Sequence, residues 1–175
     1  MFESELFLYM LIGLVVISTG SIILNVIQRK TINDLRETSE VLIKDAYFNP
    51  ITALPNETNF EIILKEQIDR AKRHEKTFLF VYIKLKHFQN DEEIINAGNI
   101  LSNCIRNEDS LAHISTDEFV ILFNEYLEEQ NYSIVTNRIM AAFPKYAIRI
   151  GKSTYPDFGE DKKYLLQAAI KDTQR

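Results

Sequence analysis

The stretch Ser110-Leu111-Ala112-His113-Ile114-Ser115-Thr116-Asp117-Glu118-Phe119-Val120-Ile121-Leu122-Phe123 decides how this chain folds. Residues 110–114 and 119–123 are two short apolar runs, and the polar triplet Ser115-Thr116-Asp117 separates them. That is the pattern of two strands joined by a tight turn. The hairpin carries two adjacent carboxylates, Asp117 and Glu118, at its turn end.

Outward from the hairpin, helices and strands alternate. Residues 77–85 form a β-rich apolar run, which predicts a buried strand. Helices are expected over 94–105, over 127–143 with Pro144 as the stop, and over 164–170; a strand over 146–150 would end at Gly151. Upstream, Phe60, Ile63, Leu64, Ile68 and Ala71 recur at helical spacing after Pro50 and Pro55 break the chain. Helices alternating with strands around one sheet predict an α/β sandwich. Phe78, Phe80, Tyr82, Phe119 and Phe123 sit at strand spacing and read as core, while Glu125, Glu128 and Glu129 read as a solvated helix start.

The first part of the chain has a different composition. Residues 6–27 hold no formal charge and are rich in Leu, Ile, Val, Phe and Met, which matches the roughly 20 residues that a membrane-spanning helix needs. Glu3 and Glu5 precede this run and Arg29 and Lys30 follow it, so the positive-inside rule places residues 1–5 in the periplasm and the rest in the cytoplasm. A cleaved signal peptide fits poorly, because the start lacks a basic region. Residues 28–48 contain no Gly or Pro, and Ile32, Leu35, Leu42 and Ala46 fall near a heptad spacing. This predicts a juxtamembrane helix, either a dimerising signalling helix or one packed on its own domain. The net charge of −5 argues against a duplex nucleic-acid partner. Cys104 is the sole cysteine, so neither an internal disulfide nor a zinc ligand set is expected.

Several motifs in order make residues 49–175 resemble a GGDEF domain, the family of diguanylate cyclases that condense two GTP molecules into cyclic di-GMP. Asn49-Pro50-Ile51-Thr52-Ala53-Leu54-Pro55-Asn56-Glu57 with Phe60 resembles the opening D-x-L-T-G-L-P-N-R followed by Phe. Ile83-Lys84-Leu85-Lys86-His87-Phe88 stands where the family has I-D-x-D-x-F, and Ser115-Thr116-Asp117-Glu118-Phe119 stands in place of G-G-D-E-F. Ile148-Arg149-Ile150-Gly151, Tyr155-Pro156 and Leu165-Leu166-Gln167-Ala168 resemble the segments that follow. The resemblance implies a nucleotidyl-cyclase or palm-like sandwich, with a central, mostly antiparallel sheet and flanking helices, behind one transmembrane helix.

The same resemblance marks what is altered. The family's metal-binding aspartate position is Lys84, and its second aspartate is Lys86; an ammonium repels a divalent ion. Ser115 and Thr116 add side chains where paired glycines admit phosphate. The segment between Phe88 and Arg106 is shorter than the family's and lacks most of its guanine-reading motif, of which Asn90 or Asp91 is a candidate remnant. No cofactor, metal or catalytic residue is therefore expected, and Lys84 and Lys86 are expected to pair with Asp117 and Glu118. Arg106-Asn107-Glu108-Asp109 has the spacing of the family's R-x-x-D site for cyclic di-GMP, with a local ion pair or cap as the alternative. His113, in place of a frequent family Arg, reads as an ordinary strand residue. With one membrane helix and one small domain, the expectation is a regulatory or assembly subunit of a bacterial inner-membrane envelope complex, contacting a protein partner, with a homodimer as a further option. The alternatives are a cyclic di-GMP receptor through Arg106 and Asp109, or a weak cyclase or GTP-binding activator.

Overall fold

Along β1 (Phe78–Lys86) successive side chains enter two different cores. Leu79, Val81, Ile83 and Leu85 join one cluster, while Phe78, Phe80 and Tyr82 join the other. The period of two in a strand produces this split. It also explains why 78–83 is apolar throughout, since both faces of the strand are covered there. The computed structural model describes residues 2–124 and 129–173, apart from the side chains of residues 2–9, 11, 12, 15–17, 129 and 130.

β1 is central in a four-stranded sheet ordered β2-β3-β1-β4, with β2 (Ser110–Ser115), β3 (Glu118–Phe123) and β4 (Ala147–Tyr155). All neighbouring pairs are antiparallel. The hairpin read from the sequence is β2–β3. One face packs on α3 (Asp91–Cys104) and α4 (Glu129–Ala142) through Leu101 and Ile139, and on Phe143 just past α4. The other packs on α2 (Glu57–His74) and α5 (Lys162–Asp172) through Phe60, Leu64, Leu165 and Ala169.

Three helices start earlier in the chain than their apolar periodicity suggests, because their caps are polar. Asn56 accepts from Asn59 N at 3.0 Å, Asn90 from Glu93 N at 3.0 Å and Asp161 from Tyr164 N at 3.1 Å. Each satisfies an otherwise orphaned first-turn donor. Asn90, a candidate remnant of a guanine-reading motif, is thus the cap of α3. The expected start of the third helix, and Glu125 and Glu128, lie outside the described residues, as does the Glu129 side chain.

The expected strand 146–150 is corrected to β4, which runs through Gly151 to Tyr155. Gly151 does not end the strand; it admits a helix. A Cβ there would collide with the Ala169 carbonyl and stand 2.9 Å from Thr173 N. α5 therefore lies directly against the strand.

The chain divides into two units, Met1–Lys44 and Asp45–Arg175. α1 (Phe2–Tyr47) is one continuous helix across the segments read as 6–27 and 28–48. Ile32, Leu35 and Leu42 are exposed on it. Among the described residues no helix is long and apolar enough to cross a membrane. The side chains of 6–9, 11, 12 and 15–17, which belong to the charge-free run, lie outside that description.

Candidate functional site

Strand register sets the first cluster. Lys84 on β1 is the cross-strand partner of Glu118 on β3, and opposite residues in an antiparallel pair project to the same side. Lys84 Nζ lies 2.6 Å from Glu118 Oε1 and 3.4 Å from Asp117 Oδ1. Tyr82, two residues back on the same face, donates its hydroxyl to Glu118. Burial, and then that carboxylate, push the Tyr82 phenol far above its ordinary range. Burial alone would raise the Glu118 carboxyl, but the hydrogen bonds from Lys84 and Tyr82 outweigh it and hold the group below its usual value.

The two carboxylates are therefore already satisfied by an ammonium. No group of three or more acidic, His or Cys ligands converges among the described residues. The donor set does not fit a divalent cation, since a third carboxylate is replaced by a positive charge at the centre. The expected pairing of Lys84 is thus present, whereas that of Lys86 is corrected. Lys86 is exposed past the end of the β1–β3 register, and among the described residues it makes no ion pair.

The turn that replaces the paired glycines is held from three sides. Leu85 N donates to Asp117 O at 2.8 Å. His113 Nε2 is 3.4 Å from Thr116 O, and Nδ1 is 3.1 Å from Thr52 Oγ1. A carbonyl only accepts, so Nε2 carries the proton and Nδ1 accepts from the Thr52 hydroxyl. His113 also stacks on Phe119 at 4.3 Å, and its main-chain N–H donates to Pro55 O. Its side chain is buried, which lowers the imidazole pKa despite hydrogen bonds to the Thr116 and Ser115 carbonyls. This residue ties the 49–56 loop to the signature turn, a role that its strand position does not display. Ser115 and Thr116 themselves are exposed.

The R-x-x-D pair does not form a two-armed grip. Asp109 Oδ2 accepts from Arg106 N at 3.1 Å, and Oδ1 from Asn124 N at 3.4 Å. Burial pushes the Asp109 carboxyl up, against those two backbone hydrogen bonds. The Arg106 side chain is exposed and lies 3.6 Å from Glu108. Arg106 and Asp109 nevertheless line a cavity of about 290 Å³ shared with Ile134 and Arg138 of α4. Arg138, whose guanidinium donates to the Cys104 carbonyl, is a second cation at this cavity. Nothing in the spacing of the sequence pointed to it, because the approach of α4 to the end of α3 is a tertiary event.

A four-stranded antiparallel sheet with helices on both faces, carrying acidic residues at a hairpin turn beside its central strand, defines the class of domain. The family model of the diguanylate cyclase GGDEF domain matches residues 46–174, and the chain belongs to the GGDEF family. Among curated proteins no sequence matches it. Of solved structures, the coiled coil and GGDEF domain of DgcB from Caulobacter crescentus, in complex with c-di-GMP, superposes with a TM-score of 0.71 at 15% identity, covering 84% of this chain and 88% of that one. The GGDEF-only form of TpbB (YfiN) from Pseudomonas aeruginosa gives 0.66 at 19%, covering 73% and 87%. Diguanylate cyclase SiaD from Pseudomonas aeruginosa, in complex with its activator SiaC, gives 0.66 at 16%, covering 85% and 64%. These likenesses are of fold.

Proposed function

We propose that this protein is a catalytically inactive, membrane-anchored GGDEF protein that serves as a regulatory or assembly subunit of a bacterial envelope complex. The observation that carries the reading is the seat of Lys84 Nζ between the Asp117 and Glu118 carboxylates. Phosphoryl transfer of this kind depends on metal ions that neutralise charge on the phosphates, and the ammonium stands where such an ion would have to enter. The charge-free run 6–27, bounded by Glu5 and Arg29, supports an inner-membrane anchor with the GGDEF domain in the cytoplasm. A protein partner accords with the complex of SiaD with its activator, and a second copy accords with the exposed Ile32, Leu35 and Leu42 on α1.

The test pairs activity with metal binding. The full chain, incubated with GTP and magnesium or manganese, is expected to yield no cyclic di-GMP, and its melting temperature should not respond to either ion. In Lys84→Asp the three clustered carboxylates repel one another, so the variant should melt lower without metal, by the equivalent of about 1 kcal/mol, and recover with manganese. Cyclic di-GMP made by the wild-type chain would sink the proposal and favour a weak cyclase.

A second reading, a cyclic di-GMP receptor, is favoured by the cavity that Arg106 and Arg138 share. Guanidinium groups suit phosphate. The Asp109 carboxylate, committed to two main-chain N–H groups, supplies less than the motif implies. Calorimetric titration of cyclic di-GMP decides: heat that Arg106→Ala abolishes supports the receptor, and silence from a folded chain dismisses it.

A further inference from the structure

The exposed row Ile32, Leu35 and Leu42 on α1 extends back toward the start of the chain. Ile32 and Ser39 take the first position of a heptad, and Leu35 and Leu42 the fourth. Continued backward in the same steps, the row reads Gln28, Asn25, Ser21 and Ser18. α1 is unbroken across all of these residues, and all of them are exposed. One seam therefore starts inside the charge-free run 6–27 and continues past Arg29 into the charged part of the helix.

Two distributions mark this seam as a contact surface. Between Gln28 and Phe48 every charged side chain lies off it. Between Ser18 and Ile27 the hydroxyl and amide side chains gather on it, and only Thr19 stands elsewhere. Asn25 is the one amide in that stretch. Its Oδ1 accepts from Arg29 Nε at 3.1 Å, and among the described residues its Nδ2 has no acceptor. An amide donor left unpaired against lipid is costly.

We propose that α1 pairs in parallel with α1 of a second copy along this seam, and that the Asn25 amides of the two chains hydrogen-bond to each other at the membrane. The proposal rests on the reading of residues 6–27 as a membrane anchor. Two copies inserted in one orientation present Asn25 at the same depth, so a second copy supplies the matching polar group by symmetry. The Nδ2–H of one chain donates to the Oδ1 of the other, which has a second lone pair beyond the one that Arg29 uses. Amides that bond across helices hold them together in lipid, and a single Asn at this heptad position fixes register. On the cytoplasmic side Ile32, Leu35 and Leu42 bury one another. The flanking positions of a parallel pair set Arg36 against Thr31 and Arg29 against Leu24, so no like charges oppose each other across the seam.

The experiment is oxidative cross-linking of the full chain in isolated bacterial membranes. Ser39→Cys and Leu42→Cys lie on the seam, and Glu37→Cys lies on the far side of the helix; the unaltered chain, whose Cys104 is buried, is the blank. Disulfide-linked dimers are expected from the two seam variants and not from Glu37→Cys. Energy transfer between labelled full chains in detergent then tests Asn25. Asn25→Leu should weaken association by about fivefold or more, and Asn25→Gln, which keeps the amide, should retain it. Equal cross-linking on both sides of the helix would overturn the proposal, as would association unchanged in Asn25→Leu. Carbonate extraction of the same membranes separates the two readings. A chain that stays in the membrane and forms no cross-link overturns the pairing alone, whereas a chain that is extracted overturns the anchor and the pairing with it.

Discussion

His113 shows what one buried side chain does for the signature turn. Its Nδ1 accepts from the Thr52 hydroxyl and its Nε2–H donates to the Thr116 carbonyl, an arrangement that needs the neutral ring. Burial lowers its pKa in the fold, so as pH falls the unfolded chain takes up the proton first. The contribution of His113 to stability is complete above the ordinary imidazole value of 6.5, and it is lost as pH drops below that through the lower folded-state value. Over that window each pH unit removes up to about 1.4 kcal/mol. Denaturant unfolding at a series of pH values below neutrality should show this slope in the wild-type protein and a flatter one in His113→Gln; parallel slopes would dismiss the idea. In the sequence His113 is a polar residue inside an apolar strand, and nothing nearby in the chain names Thr52 as its partner. Lys84 was more legible, because family register places it beside Asp117 and Glu118. Lys86 follows the same logic on paper, yet it lies past the end of the β1–β3 pairing and finds no carboxylate among the described residues. Asp109 was read as a ligand acceptor, but the turn that it caps had already engaged both of its oxygens.

Elements follow the sequence where one local rule governs them and depart from it where a distant partner does. The β-rich run 77–85 and the polar triplet at 115–117 both became what strand and turn chemistry predict. Gly151 did not, since a glycine after a strand run usually signals its end, and only the return of α5 against β4 reveals the other reason to place one there. The consequence is measurable. Gly151→Ala puts a methyl group into the Ala169 carbonyl and close to Thr173 N, both of them main-chain atoms that move only if the helix shifts. Loss of about 2 kcal/mol or more is expected, read as a lower denaturant midpoint. A change of a few tenths would mean that α5 is held less firmly than its contact with β4 implies. Polar caps account for the remaining differences, since Asn56, Asn90 and Asp161 begin helices ahead of the first apolar residue on each periodic face.

At the scale of the whole molecule, composition divides the chain before any contact is considered. Residues 6–27 carry no charge, whereas the rest holds all of the acidic and basic side chains. Burying these 22 uncharged, mostly apolar residues in lipid satisfies the apolar side chains and, in a helix, the backbone N–H and C=O groups. The same residues exposed to water would form a long apolar surface of the kind that soluble proteins avoid. The structure adds that α1 continues unbroken beyond this run, and that residues 45–175 contain both hydrophobic cores. Anchoring and folding should therefore separate. In bacterial membranes the full chain is expected to resist extraction by alkaline carbonate, while residues 28–175 expressed alone should be recovered in the supernatant. Orientation follows from Arg29 and Lys30, which favour the cytoplasmic side. Protease added to inside-out vesicles should digest the GGDEF domain, and the same protease added to intact spheroplasts should leave it whole. Digestion in spheroplasts would reverse the topology and place the domain away from cytoplasmic nucleotides, which would remove the physical basis for a cyclic di-GMP ligand at the cavity of Arg106 and Arg138. Extraction of the full chain by carbonate would remove the anchor, and the apolar run would then need a protein surface to cover it.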